Sequence, residues 1–329
     1  MRAGKLPVDL LERCVLSHTG VHRPEVILPP AIGEDCTALS VGGDLLVVSS
    51  DPITGASSEI GWYAVHVGCN DLAADGATPI GVMLTILAPE GASDESCLGQ
   101  IRDLMASAGL AASQLGISII GGHTEVTSAV TRLVVCVTAI GRVQPGKLVT
   151  VRNARPGLLL IVTKTVGLEG ASILAREKRA MLEKAIPREI LERAAGFVGQ
   201  ISVVKDGLVA AAGGAVAMHD ITEGGLLGAV WELCRASGCG AVIHRSAVPI
   251  EYETVSICTA LGLDPLRLIS SGSMLIAASK ESRVSEELEK AGVRATVIGE
   301  TTSGGIYIED GGILQEILPP ESDELWKAI

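Results

Sequence analysis

The alternation of strand-like and helix-like segments in this sequence stops at "QPGKLVTVRNARPG" (144–157) and then starts afresh. Ahead of the break, apolar runs at 45–50, 80–88, 117–120 and 131–143 read as strands, and helical periodicity covers 57–76 and 93–116. Ser93 stands where an N-cap is wanted, and the apolar stripe of that helix runs through Leu98, Ile101, Leu104, Met105 and Ala108. Beyond the break, strands are expected at 158–164, 272–279 and 294–300, with helices at 167–176, 187–212, 222–238 and 282–292. Two Pro-Gly turns mark the interruption itself. A single core for 329 residues would be unusually large. The chain is therefore expected to form two domains, 1–151 and 152–329, each mixing strands and helices as an α/β (α+β) protein.

Composition decides what fills those cores. Apolar residues make up 47% and charged residues 19%, which favours folded over disordered chain. Aromatics are few, so the cores must be built from Ala, Val, Ile and Leu. A net charge of −12 with so few stacking rings argues against nucleic acid as a partner. The eight cysteines form no C-x-x-C pair and mostly sit in apolar runs, as buried free thiols of a reducing compartment do. Acids appear within the first nine residues, unlike a signal peptide, and the longest uncharged run (207–218) has 12 residues, too short to span a bilayer. A soluble, cytoplasmic protein without membrane contact is the expectation.

The informative residues are acids set at the ends or on the inner faces of apolar elements. Asp35 follows Gly33, and Asp51 ends the run "LLVVSS" just before Pro52, a residue expected to stop the strand. Ile60, Ala64 and Val67 mark the buried stripe of the helix at 57–76, and the next member of that series is Asp71. A carboxylate there needs a cation or a cleft. Asn70 shares that rim, four residues after His66. In the second half, Asp220 precedes Thr222, a plausible N-cap, and Gly224-Gly225 open a helix whose free N–H groups would suit phosphate. Finally, "GGHTEVT" (121–127) delivers Gly121, Gly122, His123, Thr124 and Glu125 into what reads as a turn after a strand. Taken singly, each is most often a turn former or a solvated charge. Together they suit oxygen ligation of Mg2+ bridging nucleotide phosphates. No G-x-x-x-x-G-K-[ST] and no G-x-G-x-x-G occurs, so ATP would be held without a P-loop.

"GEDCTAL", "SSDPI", "NDLAADGATP", "GGHTEVT", "MHDITEGGLL" and "LGLDPLRLISSG" follow one another in an order and spacing that resembles the aminoimidazole-ribonucleotide synthetase (PurM-like) superfamily, over nearly the whole chain. The likeness is strongest to the HypE branch and the AIR-synthase-related proteins beside it; thiamine-monophosphate kinase and selenophosphate synthetase resemble it more distantly. The resemblance implies an N-terminal domain that forms a barrel across a homodimer and a C-terminal α/β sandwich. It implies ATP with Mg2+ in a cleft between domains and transfer of phosphate to a small oxygen-bearing acceptor. It places Asp35, Asp51, Asp71 and Asp220 as metal and phosphate acids. Lys5 takes the place of a lysine in the glycine-rich segment that closes over ATP, and the turn at 121–127 would face the phosphates, with His123 and Glu125 acting there.

Departures from the pattern leave the acceptor open. No cysteine follows Cys258, whereas HypE carries a terminal cysteine, so a carbamoyl adduct on the C-terminus is not expected. Glu169 stands where HypE has a histidine, and Cys14, in "LLERCVL", is expected to be buried. Three functions compete: an ATP- and Mg2+-dependent activating enzyme, a nucleotide-binding maturation or scaffold protein without turnover, and thiamine-phosphate or selenide chemistry proper. A maturation partner protein belongs with the second.

Overall fold

The structure is a computed structural model that describes residues 4–55, 58–91, 94–320 and 322–329; the expected N-cap, Ser93, lies outside them. In the first half, helix α1 (Val8–Cys14) leads to strands β1 (Val26–Leu28), β2 (Thr37–Val41) and β3 (Asp44–Ile53). Helix α2 (Ile60–Ala74), strand β4 (Thr78–Pro89), helix α3 (Asp94–Leu115) and strands β5 (Ser118–Thr127) and β6 (Val134–Val143) complete it. These strands form one six-stranded sheet in the order β1-β2-β3-β6-β4-β5. Only β4 and β5 run parallel, and α3 is the crossover that such a pair requires.

The second half holds β7 (Leu159–Thr163), α4 (Leu168–Glu177), α5 (Arg179–Leu182), α6 (Arg188–Ala195), α7 (Val204–Ala212), β8 (Ala215–Asp220), α8 (Gly225–Ser237) and β9 (Gly240–His244). It continues through α9 (Tyr252–Leu261), β10 (Met274–Ala278), α10 (Val284–Lys290), β11 (Ala295–Thr302), β12 (Ile306–Asp310) and β13 (Ile313–Glu316). A seven-stranded sheet results, ordered β13-β12-β9-β11-β7-β10-β8. The mixed α/β class expected from the sequence is what the chain adopts.

The two sheets are covered differently. In β6 buried and half-buried residues alternate, with Val135, Val137 and Ala139 turned toward α2 and α3. In β10 every residue is buried. There, Leu275 and Ala277 meet the α8 side chains Leu226, Val230 and Leu233, while Ile276 on the opposite face joins Val284 and Leu288 of α10.

Contacts across the halves are close. A Cβ on Gly207 of α7 would lie 2.3 Å from the Ala73 carbonyl oxygen, so only glycine lets α7 approach α2 this far. The Asn70 amide ties the same joint: its Nδ2 donates to Ile201 O at 2.9 Å and its Oδ1 accepts from Val203 N at 2.8 Å.

Several expectations need correction. The segment 118–127 is one continuous strand, not a strand followed by a turn; a bulge near Val82 and Met83 shifts its register and admits Gly121 and Gly122. Pro52 does not stop β3, which pairs on through Pro52 and Ile53 with β6; β2 leaves its flank after Val48, so a missing N–H is tolerated. The helix expected at 187–212 is broken by a 3-10 turn at Gly196–Gln200. Leu98 and Met105 are exposed, and α3 instead buries Leu104, Ala108, Ala111 and Ala112. A Cβ on Gly61 would lie 2.0 Å from Leu104 O, so α3 sits too close to α2 for large side chains. Cys14 is exposed, because α1 buries no residue.

Candidate active site

A cleft of about 490 Å³ opens where the two halves meet. Its floor is built by chain ends that the sheets bring together: the stretch 31–35 before β2, the end of β3, the inner face of α2 and the start of α8. Asp35, Asp51 and Asp71 all line it, as do Glu34, Glu169, Glu223, Glu232 and Asp323. Lys5, from the segment ahead of α1, is the only lysine or arginine among its described lining residues.

Asp220 ends β8 just behind this wall. It is 1% exposed, and neither of its carboxylate oxygens has a hydrogen-bond partner among the described residues. Burial, and then the charge of Asp35, push its carboxyl up to about 8. Asp71 is raised well above the usual carboxylate range, first by burial and then by Asp51, with which it shares a hydrogen bond. Acids held this way favour either shared protons or a cation. Asp35, His219 and Asp220 offer ligand atoms within 4.8 Å of one another. Orphaned, buried carboxylate oxygens beside a second carboxylate fit a hard cation such as Mg2+.

His219 is fully enclosed. Its Nε2 lies 3.1 Å from Glu232 Oε2 and its Nδ1 lies 3.0 Å from Asp35 Oδ2, off the line of a straight hydrogen bond. Burial lowers its pKa, but Asp35 and Glu232 outweigh that and hold it well above the ordinary histidine value. Glu232 is partly buried, which pushes its carboxyl up, but Lys5 and His219 bring it down to about 2.

Gly224 lines the cleft and Gly225 opens α8, but the expected open phosphate cradle is filled. The Gly224 N–H donates to Asp323 Oδ2 at 2.6 Å, and Asp323 also accepts from Ile269 and Leu325. Thr222 is not the N-cap; Gly224, in the left-handed region, is. A Cβ on Gly225 would lie 2.6 Å from Leu266 O, so packing alone already requires glycine there. Asn70 is also out of the cleft, because both ends of its amide are engaged with residues 201–203.

Gly121, Gly122, His123, Thr124 and Glu125 do not line this cleft within one chain. They lie on β5, the exposed edge of the first sheet, where His123 Nε2 and Glu125 Oε2 pair at 3.1 Å. Gly122 has a physical reason for being glycine: φ is +147° and a Cβ would meet Leu84 O at 1.9 Å.

Glu34, Glu223, Glu232 and Asp323 line the cleft, and His219 stands behind its wall; none of these was singled out from the sequence. Glu232 had a readable signal. Glu232 follows Gly225 by two helical turns, so it shares a helix face with a residue the sequence placed at the site.

Residues 33–143 match the N-terminal domain of the AIR synthase related protein family, and residues 155–311 match its C-terminal domain. Carbamoyl dehydratase HypE of Rhodobacter capsulatus is 31% identical over 83% of this chain and 78% of its own. The structure resembles that of a HypE–HypF complex with a TM-score of 0.75 and 21% identity, covering 94% of this chain and 99% of the other. It resembles a hydrogenase maturation protein HypE in complex with ATP with a TM-score of 0.67 and 22% identity, over 98% and 97% of the two chains. These last likenesses concern the fold, which is the PurM-like one expected from the sequence.

Proposed function

Because the chain belongs to the AIR synthase related protein family, we propose that it is an ATP- and Mg2+-dependent enzyme that phosphorylates or otherwise activates a small oxygen-bearing substrate in the cleft. The observation that carries this reading is Asp220, whose buried carboxylate oxygens accept no hydrogen bond from the described residues and which offers a ligand atom within 4.8 Å of one on Asp35, beside an acid-lined cavity. Asp35, Asp51, Asp71 and Asp220 would hold the metal and, through it, the phosphates. When bound, Mg2+ supplies neutralisation of phosphate charge during transfer. Lys5, already at the rim, supplies a positive side chain where the γ-phosphate would lie. The relatives support the nucleotide, since HypE is known in complex with ATP.

The assembly is part of the proposal. Ile80, Met83, Ile120 and Val126 leave exposed apolar surface on β4 and β5. We place a second copy there, which also brings His123 and Glu125 within reach of a neighbouring cleft. We place the domain boundary between residues 151 and 152, in the link between the two sheets. A maturation partner analogous to that in the HypE–HypF complex, and a cytoplasmic location, belong to the same reading; among the described residues no single helix is long and apolar enough to cross a membrane.

The test is ADP release by the purified protein in Mg2+-ATP, first alone and then with pooled small metabolites bearing carboxyl, carbamoyl or hydroxyl groups. No release with any pool, while Asp220→Asn binds nucleotide as well as wild type, would sink the reading.

A further inference from the structure

Four charged side chains from four separate elements form an unbroken line through the cleft wall. Lys5 Nζ lies 3.3 Å from Glu232 Oε1. The other oxygen of Glu232 lies 3.1 Å from His219 Nε2, and His219 Nδ1 lies 3.0 Å from Asp35 Oδ2. Glu232 is on α8, His219 on β8, Asp35 in the stretch before β2 and Lys5 in the segment before α1. The imidazole is 1% exposed, so water cannot replace either of its carboxylate contacts. A rigid ring hydrogen-bonded to Glu232 at Nε2 and in ion-pair contact with Asp35 at Nδ1 couples the positions of the two carboxylates.

We propose that Glu232 is a positioning residue of the cleft: through His219 it sets Asp35 on the metal side, and through Lys5 it holds the N-terminal segment on the opposite side. This rests on the reading of Asp35 as a metal acid. Glu232 itself does not belong to the group of ligand atoms formed by Asp35, His219 and Asp220. Its effect on the metal is therefore exerted through His219. In this proposal His219 acts as a strut between the two carboxylates.

Two substitutions separate position from charge. Glu232→Asp keeps the negative charge and shortens the reach by one methylene. Glu232→Gln keeps the reach and removes the charge, and Glu223→Gln removes the charge of another cleft acid, which accepts from Trp326 Nε1 and, among the described residues, pairs with neither His219 nor Lys5. The probe is Mn2+ alone, without nucleotide, followed by its free-ion electron paramagnetic resonance signal on the full chain. Hydrogen exchange of residues 5–11 is read on the same samples.

Glu232→Asp is expected to weaken Mn2+ binding by about tenfold, as loss of a ligand's supporting partner does. The same change should speed exchange over 5–11 by about tenfold, with the melting temperature little changed. Mn2+ affinity and exchange both within about twofold of wild type for Glu232→Asp would overturn the proposal. If Glu232→Asp does not fold, Glu232→Gln is compared with Glu223→Gln; equal effects on Mn2+ and on exchange mean charge alone and overturn it, whereas a larger effect on both at Glu232 supports it. If wild type takes up no Mn2+, the metal reading of the cleft falls and takes the proposal with it. Uptake by wild type that Glu232→Asp leaves intact sinks the positioning role only.

Discussion

The two sheets are built from the same small set of apolar residues and end in opposite surroundings. The second carries helices on both faces, with α8 on one side and α7 and α10 on the other, although its edge strand β13 is exposed. The first has helices on one face only, and its edge strand β5 is exposed along almost its whole length. A strand covered on both faces is a scaffold, and the end of β8 at Asp220 sits in a fixed, buried environment. A half-covered sheet with an open edge is unfinished unless something pairs with it. The difference teaches where to look for each part of the function. Of the proposed ligand acids, Asp220 ends a strand of the second sheet, Asp71 lies on α2, and Asp35 and Asp51 are carried by the first sheet, whose bare face is the surface proposed for assembly.

The sharpest way to break that contrast is to truncate equivalent side chains on each sheet. Ile161, 1% exposed on β7, should lose about 2–5 kcal/mol of stability as Ile161→Ala. Met83, on the open face of β4, should lose about 0.5 kcal/mol or less as Met83→Ala in the dissociated chain. Denaturant unfolding at low protein concentration measures both. Comparable losses would mean that the open face is covered by something within the chain.

How much of this was legible in the sequence follows the same contrast. Strands of the half-covered sheet alternate, as β6 does, and helices with one inner face show a 3.6-residue period; both were readable. The buried strand β8 was not, because a run such as "AVAM" beside Gly213-Gly214 carries no period to separate it from a helix. Asp71 was legible as a cleft acid since it interrupts an apolar stripe. Asp323 was not, because its role depends on chain folding back to Gly224 from 99 positions away. The opening of α8 looked like a phosphate cradle for the same reason: sequence shows the donors and not the acceptor that fills them. His123 was tied to the cleft by resemblance to the family, and within one chain the sheet order carries it to the far edge.

Glu169 sharpens the contrast from the closed side. It begins α4 and lines the cleft, and burial holds its carboxyl at about 7, with the Ser271 N–H pulling down and Asp323 pushing up. Its unfolded value is the ordinary 4.5. The folded state therefore binds its proton more tightly, and that stability is full below about 4.5 and is lost as pH rises through about 7. The loss amounts to up to about 3 kcal/mol. Glu169→Gln should flatten this decline in melting curves taken from pH 4.5 to 8, in protein free of ligand. An unchanged slope would mean that Glu169 is solvated and the closed sheet's side of the cleft is wetter than its burial implies.

Asp71 tests the joint between the sheets. Mg2+-ATP at about 100 times its Kd should stabilise the wild type by about 2.7 kcal/mol. Asp71→Asn removes a charge that burial and Asp51 already make hard to ionise, so without ligand it should be neutral or mildly stabilising. With Mg2+-ATP it should gain little. Thermal shift with and without nucleotide reads both arms, and an equal ligand-induced gain in the variant would remove Asp71 from the metal set.

His123 gives the smallest expected effect and the most direct reading of what the open sheet is for. Alone, His123→Ala should cost about tenfold in turnover or in Mg2+-ATP affinity, about 1.4 kcal/mol, with little change in ligand-free melting because the side chain is exposed. That result does not say whose cleft the histidine serves. Mixing does. If each cleft uses Asp71 of its own chain and His123 of the partner, a dimer of Asp71→Asn with His123→Ala has one doubly damaged cleft and one intact. Random exchange of subunits then restores activity to about a quarter of all clefts, from a starting point where neither variant alone has an intact one. If His123 acts within its own chain, every cleft in the mixture carries one defect and nothing is recovered. Failure to recover, with dimers confirmed by light scattering, would leave His123 and Glu125 as a surface pair and the bare sheet as an interface without a catalytic part.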